Sequence, residues 1–256
     1  MVRVMKLERA FVTLACACGL LLPLALSAQS ARFGIELEGG PAWQSYNDVE
    51  IPNDGSATRI SLPDLTGHGP WPAGRLYLNW NVNDRHGVRL LLAPFSLTET
   101  GVAPGPVRFA GADYRSGVPL KATYTFNSYR LSYRWRFHAG VRSNAWVGFT
   151  GKVRDATIAL EQGSTASRKD DVGFVPLLHL SADRVLTERW KLAADVDGLA
   201  GGPGRAVDAA VKLGWHPSGR WSVHGGYRMV EGGADVTDVY TFAWLHYAVA
   251  SVVMRW

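Results

Sequence analysis

The chain has 256 residues, with 27 basic and 22 acidic side chains, 28 glycines, 10 tryptophans and only 2 cysteines. Both cysteines, Cys16 and Cys18, stand in the first apolar stretch, so the rest of the chain is excluded from disulfide-stapled and thiol-metal classes. Past that stretch no block of five or more like charges occurs, and the charge balance argues against a nucleic-acid partner.

In chain order, the first element reads as an export signal. Arg3, Lys6 and Arg9, against Glu8 alone, precede an apolar run from Phe11 to Leu26. Small residues at Ser27 and Ala28 then suit a signal peptidase, which predicts a cleaved leader over 1–28 and a single domain over 29–256. The run is short for a retained helix, which needs about 20 residues to span a bilayer. Thr13-Leu14-Ala15-Cys16 is a poor lipidation site, because apolar sequence continues well past it. Cleavage would leave 228 residues carrying 24 basic and 21 acidic side chains, close to neutral.

No later segment offers a run long and apolar enough for a membrane helix. The nearest, Val239 to Met254, has 16 residues without Asp, Glu, Lys or Arg, but it is rich in β-branched and aromatic residues. An exported chain of this kind is either soluble or a closed barrel, since lipid leaves no other way to satisfy the backbone.

Period-two alternation favours the barrel. The first strand sets Phe33, Ile35 and Leu37 against Glu36 and Glu38. The next sets Leu76, Leu78, Trp80 and Val82 against Arg75, Tyr77, Asn79 and Asn81. Further on, Leu131, Tyr133, Trp135 and Phe137 oppose Arg130, Ser132, Arg134 and Arg136, and Val147, Phe149 and Val153 oppose Thr150, Lys152 and Arg154. Leu178 and Leu180 oppose His179 and Asp183; Leu192 and Val196 oppose Asp195 and Asp197; Val211 and Leu213 oppose Asp208 and Lys212; Val223 and Tyr227 oppose His224 and Arg228. A soluble sandwich rarely puts so many arginines at strand centres.

Turn chemistry alternates between short and long. Tight connections fall at 83–87, 138–144, 187–189 and 217–220, and longer ones are expected at 47–71, 99–119, 162–172, 198–206 and 231–238. That rhythm predicts an all-β, transmembrane, antiparallel up-and-down barrel of about ten strands, with eight as the second choice and both termini periplasmic. Most tryptophans fall near expected strand ends, where interfacial girdles sit.

The last strand ends on the aromatic Trp256, with Met254, Val252, Ala250 and Ala248 on the same parity. Here the sequence resembles the small, porin-like outer-membrane β-barrels of Gram-negative bacteria. The resemblance implies an assembly signal at Trp256, Met254 and Val252 read by the barrel-assembly machinery. It also implies outer-membrane lipid and lipopolysaccharide as surroundings.

The alternation sends Glu36, Glu38, Asp183, Asp195, Asp197 and Asp208 toward the lumen, with Arg75, Arg89, Arg130, Arg134, Arg136, Lys152, Arg154, Lys212 and Arg228. A narrow barrel is filled by its own side chains, and buried charges must pair. The reading is therefore a structural or surface-interaction barrel with a salt-bridged lumen. The alternatives are a narrow channel for small or anionic solutes and a lipid-modifying enzyme. For the enzyme, the weak catalytic candidates are His179 with Asp183, and His224 with Asp195, Asp197 or Ser222. Neither the arrangement of lipid A deacylases nor that of omptin proteases is present. No cofactor is expected. Asp48, Glu50, Asn53, Asp54 and Asp64 lack the spacing of a calcium loop and read as solvated, and Gly201-Gly202-Pro203-Gly204 reads as a hairpin turn.

Overall fold

The structure, a computed structural model, describes residues 31–256; the expected leader over 1–28 lies outside the described residues. In chain order the elements are β1 (Phe33–Glu50), β2 (Ile60–Ser61), the helical turn α1 (Pro63–Thr66), β3 (Trp71–Asn81), β4 (His86–Ala93), β5 (Ser96–Val102), β6 (Val107–Phe109) and β7 (Ala112–Tyr114). They continue with β8 (Pro119–Ala139), β9 (Ser143–Gln162), β10 (Thr165–Val185), β11 (Trp190–Gly201), β12 (Gly204–Trp215), β13 (Trp221–Val236) and β14 (Val239–Arg255).

The main sheet is antiparallel throughout, and β14 returns to β1 from Gly34↔Arg255 to Glu50↔Tyr240, which closes it into a barrel. β4 and β5 share one place in the wall, since both pair with β8 on either side of Pro94 and Phe95. Counted so, the wall has ten strands, the preferred count from sequence. Where the ends meet, Phe33 and Trp256 exchange backbone hydrogen bonds of 3.0 and 3.1 Å and their rings stack 6.3 Å apart.

Both ends of the described chain and the short turns at 82–85, 140–142, 186–189 and 216–220 lie at one end of the barrel, the terminal end. At the other, extended end only 51–70 and 103–118 are long connections. The expected loops over 162–172, 198–206 and 231–238 are instead paired strands that meet in two-residue turns. Gly163 and Gly202 open two of these turns at φ +60° and +54°, the position where a type II′ turn requires glycine. β8, β9 and β10 have 21, 20 and 21 residues. A crossing strand needs about 9–11, so these hairpins carry the wall far beyond an apolar layer.

Outward positions form a continuous apolar belt. Leu37, Leu131, Phe149 and Leu178 are 64%, 59%, 67% and 52% exposed, a surface that water would not tolerate over a whole circumference. Trp80, Trp135, Trp190, Trp215, Trp221 and Trp256 are exposed on its terminal side, as an interfacial girdle would have them. Trp71 and Trp146 depart from the girdle. The Trp71 indole donates to Glu99 at 2.9 Å, and Trp146 lies 5.3 Å beneath the guanidinium groups of both Arg134 and Arg136.

The inner face changes character along the barrel. Toward the terminal end it is charged; toward the extended end it is apolar, with Leu120, Ala122, Tyr124, Ile158, Leu160 and Leu245 buried in one cluster. The two long connections fold onto this apolar face. α1 comes so close to β5 that a Cβ at Gly101 would stand 2.3 Å from the Leu65 carbonyl oxygen, so only glycine fits there. On the β6–β7 hairpin, the Tyr114 hydroxyl donates to the Leu160 carbonyl at 2.9 Å, while Ser167 of β10 donates to the Phe109 carbonyl at 2.9 Å.

Candidate functional site

Alternation on ten strands aims one charged residue after another at the same depth of the lumen, and at that depth they interlock. Asp208 on β12 accepts Arg75 at 2.8 Å, Arg130 at 2.7 Å and Arg228 besides. Arg130 also reaches Asp197 at 3.0 Å, whose other oxygen accepts Thr150 at 2.9 Å and His179 Nδ1 at 2.7 Å. On β1 Glu38 receives Arg228 and Lys212, each at 3.0 Å, and the Tyr77 hydroxyl accepts Arg228 at 2.7 Å. Lys212 bridges Glu38 to Glu36, which Ser251 supports at 2.7 Å. Arg89 holds Asp195 at 2.5 Å.

The centre of the network is buried, with Glu38 at 1% and Arg228 at 2% exposure, while Glu36, Arg89 and Asp195 are half-buried. An unpaired charge in such a place costs several kcal/mol, and each carboxylate of the cluster has a cationic partner. The result is a plug of cross-barrel ion pairs.

The plug is not electrically balanced. Glu36, Glu38, Asp195, Asp197 and Asp208 face Arg75, Arg89, Arg130, Arg134, Lys152, Lys212 and Arg228, so two cations lack an acid. One is Arg134, whose buried Nε has no hydrogen-bond partner and whose guanidinium leans on Trp146. The other is Lys152, 3% exposed, which makes no hydrogen bond or ion pair with a described residue and lies 4.6 Å from the Phe126 ring centre. These two cations face two separate spaces.

A cavity of about 230 Å³ on the terminal side is lined by Arg134, Arg89 and His224, among others. A larger one of about 430 Å³ on the extended side is floored by Lys152, Arg130 and Asp208 and walled mostly by apolar residues. No residue lines both.

Of the expected pairs of candidate catalytic groups, the structure brings together His224 with Ser222 but neither His179 with Asp183 nor His224 with Asp195 or Asp197. His179 meets Asp197, while Asp183 takes Lys191 at 2.8 Å and Asn144 at 3.2 Å. The second nitrogen of His179 contacts Ser181 at 3.1 Å, so both ring nitrogens are occupied. His224 contacts Ser222 at 2.9 Å and packs on the His216 ring at 5.4 Å, with no hydrogen bond to Asp195 or Asp197. His179, Asp195 and Asp197 bring ligand atoms within 4.8 Å of one another, but Arg89 and Arg130 already hold the two carboxylates.

Arg154 lies higher, paired with Asp171, and Arg136 sits near the turn at 140–142 with its Nε unpartnered. Met254, Val252 and Trp256 all point outward. Asp48 and Glu50 belong to β1, and Glu50 is buried against Arg59 at 2.9 Å rather than solvated. Asp54 is in the connection that follows, where hydrogen bonds from the Ser56 side chain and backbone hold its carboxyl below the usual range.

Sequence reasoning passed over Tyr77, Ser132 and Thr150 as members of the network. The signal was available: all three fall on the charged parity of their strands.

No family model matches the chain, and no curated protein does at significant similarity. Among solved structures, the outer-membrane protease OmpT from Escherichia coli superposes with a TM-score of 0.54 at 8% identity, covering 88% of this chain and 97% of that one. The fold is that of an outer-membrane β-barrel. Neisserial surface protein A (TM-score 0.35, 10% identity, 88% and 97% covered) and the attachment invasion locus protein Ail of Yersinia pestis (0.38, 8%, 86% and 99%) also match, too loosely to add to that statement. At these identities the likeness is one of architecture, and this outer-membrane barrel's chemistry must be argued from its own lumen.

Proposed function

We propose that the protein is a non-conducting outer-membrane barrel that works through its extended half as a surface interaction module. The observation that carries this reading is the plug. Two cavities end on opposite sides of the same ion-pair network and share no lining residue. Wide aqueous channels belong to barrels of roughly 16 strands or more, and in this ten-stranded wall the plug separates the two cavities. The short turns favour the periplasm for the terminal end and the cell exterior for the long hairpins. The surroundings on that side would be lipopolysaccharide, and the outward aromatic end at Trp256 would serve recognition by the barrel-assembly machinery.

Planar-bilayer recording of the refolded protein tests the plug. The expected trace shows no unitary steps at any applied voltage; a reproducible unitary conductance from the wild-type protein would reject the reading in favour of a pore.

The contact between His179 and Asp197 favours a second reading, an enzyme. Its geometry argues otherwise: His179 is 1% exposed and held at both nitrogens, so no substrate atom can reach it without dismantling the plug. His179→Ala is expected to destabilise the barrel by about 1–3 kcal/mol through the hydrogen bond that Asp197 loses. Mass spectra of lipid A and phospholipid from cells with and without expression should be identical. A changed lipid profile that disappears in His179→Ala would instead establish catalysis.

A further inference from the structure

Between β10 and β11 the ladder of the wall is interrupted. β10 pairs with β9 along its whole length, from Thr165↔Gln162 to Arg184↔Ser143. With β11 it pairs only from Leu178↔Gly198 to Val185↔Lys191. Residues 165–177 of β10 therefore present a free edge, and Leu199–Gly201 of β11 pair with β12 alone. The local sequence suits an edge: Pro176, which cannot complete a ladder, lies within this stretch.

The larger cavity meets the seam. It is lined by inward-facing Leu177 and Leu199 and also by Phe174, Pro176 and Val207, which belong to the outward parity of their strands. The cavity thus runs out through the wall between β10 and β11. Outside, Leu178, Phe174 and Val172 are 52%, 71% and 70% exposed along the same strand, so the lower part of the seam opens onto the apolar belt.

At the inner end of this passage is Lys152. Its ammonium is buried, lies against the Phe126 ring near Arg130 and Asp208 on the cavity floor, and makes no hydrogen bond or ion pair with a described residue. A buried cation without a partner is costly, and an anionic ligand head would remove that cost. The volume, about 430 Å³, lies toward the lower end of the range for small-molecule sites, about 300–1,000 Å³. That suits one chain and one head group.

We infer that the cavity binds a single-chain amphiphile with a carboxylate head, a fatty acid in chemical class, which passes sideways from the membrane through the β10–β11 seam and places its head on Lys152. This goes beyond the surface role proposed above and does not require conduction.

The test uses the full refolded barrel in phosphatidylcholine nanodiscs, with dodecanoate and dodecanol as probes in displacement of a dansylated fatty acid. The wild type should bind dodecanoate more tightly than dodecanol. Lys152→Met should weaken dodecanoate by about tenfold to a hundredfold, the range for a lost hydrogen bond to a charged group, and leave dodecanol unchanged. Ala156→Trp, which fills the cavity from β9, should abolish binding of both.

A variant-free readout accompanies these: a diazirine-bearing dodecanoate should label Phe126, Leu177 or Leu199 in the wild-type protein. Absence of dodecanoate binding by the wild type, unchanged dodecanoate affinity in Lys152→Met, or adducts confined to belt residues such as Leu131 and Phe149 would each overturn the inference.

Discussion

Asp208→Ala is expected to destabilise the refolded barrel by about 3–5 kcal/mol, read as a lowered urea midpoint in detergent, because it strips one carboxylate from three guanidinium groups at once. Arg75, Arg130 and Arg228 all converge on Asp208, and the carboxyl is 3% exposed. Their remaining acids do not compensate. Arg75 would keep only a distant Glu38 at 3.8 Å, and Arg130 would share Asp197 with His179 and Thr150. Three cations would then face one another in a dry interior. Asp208→Asn, which keeps one acceptor oxygen and removes the charge, should fall between wild type and Asp208→Ala. An Asp208→Ala protein as stable as wild type would mean that the plug is wet and the pairs nearly worthless.

Leu131→Arg should be nearly as damaging for the opposite reason. Leu131 is 59% exposed, so in a soluble protein an arginine there would be harmless. Between Tyr129 and Tyr133 on the outer face of β8 it lies in the belt, where an arginine at the bilayer midplane costs about 2–4 kcal/mol. The same change at Val82, exposed on the outward parity at the terminal edge beside Trp80 of the girdle, should cost much less, since the penalty falls toward about 0–1 kcal/mol at the interface. The contrast is measured by refolding equilibria in lipid vesicles.

The transmembrane half of this fold is legible in the sequence because one physical constraint governs it. Hydrocarbon outside and charge inside force a period of two, so Arg130-Leu131-Ser132-Tyr133-Arg134-Trp135 declares both its strand and its faces. The extended half carries no such constraint. At Ser167-Arg168-Lys169-Asp170-Asp171 both faces meet water or polar loop atoms, so the alternation vanishes and turn-forming residues dominate. The expected loop is really the paired wall of β9 and β10, held by ladder bonds that composition does not reveal.

The same gap explains what was missed inside. Leu120, Ala122, Tyr124, Ile158 and Leu160 continue the inward parity of Arg130 and Lys152, but as apolar residues. A rule that assigns apolar residues to the outside inverts there. Only the folding of α1 and the β6–β7 hairpin onto that face shows what the residues pack against. The ion pairs were partly legible: parity chose the groups, while partners such as His179 with Asp197, 18 residues apart, depend on strand register.

The claim beneath all of this is that successive residues of β8 face hydrocarbon and a dry charged interior by turns. Nitroxide labels placed singly at positions 129 to 137, in protein refolded into lipid vesicles, measure it directly through collision with oxygen, which concentrates in lipid, and with a water-soluble nickel chelate. Odd positions should collide strongly with oxygen and weakly with nickel, and even positions weakly with both. Strong nickel collisions at 131 and 133, or equal values at neighbouring positions, would contradict the barrel's placement in the membrane.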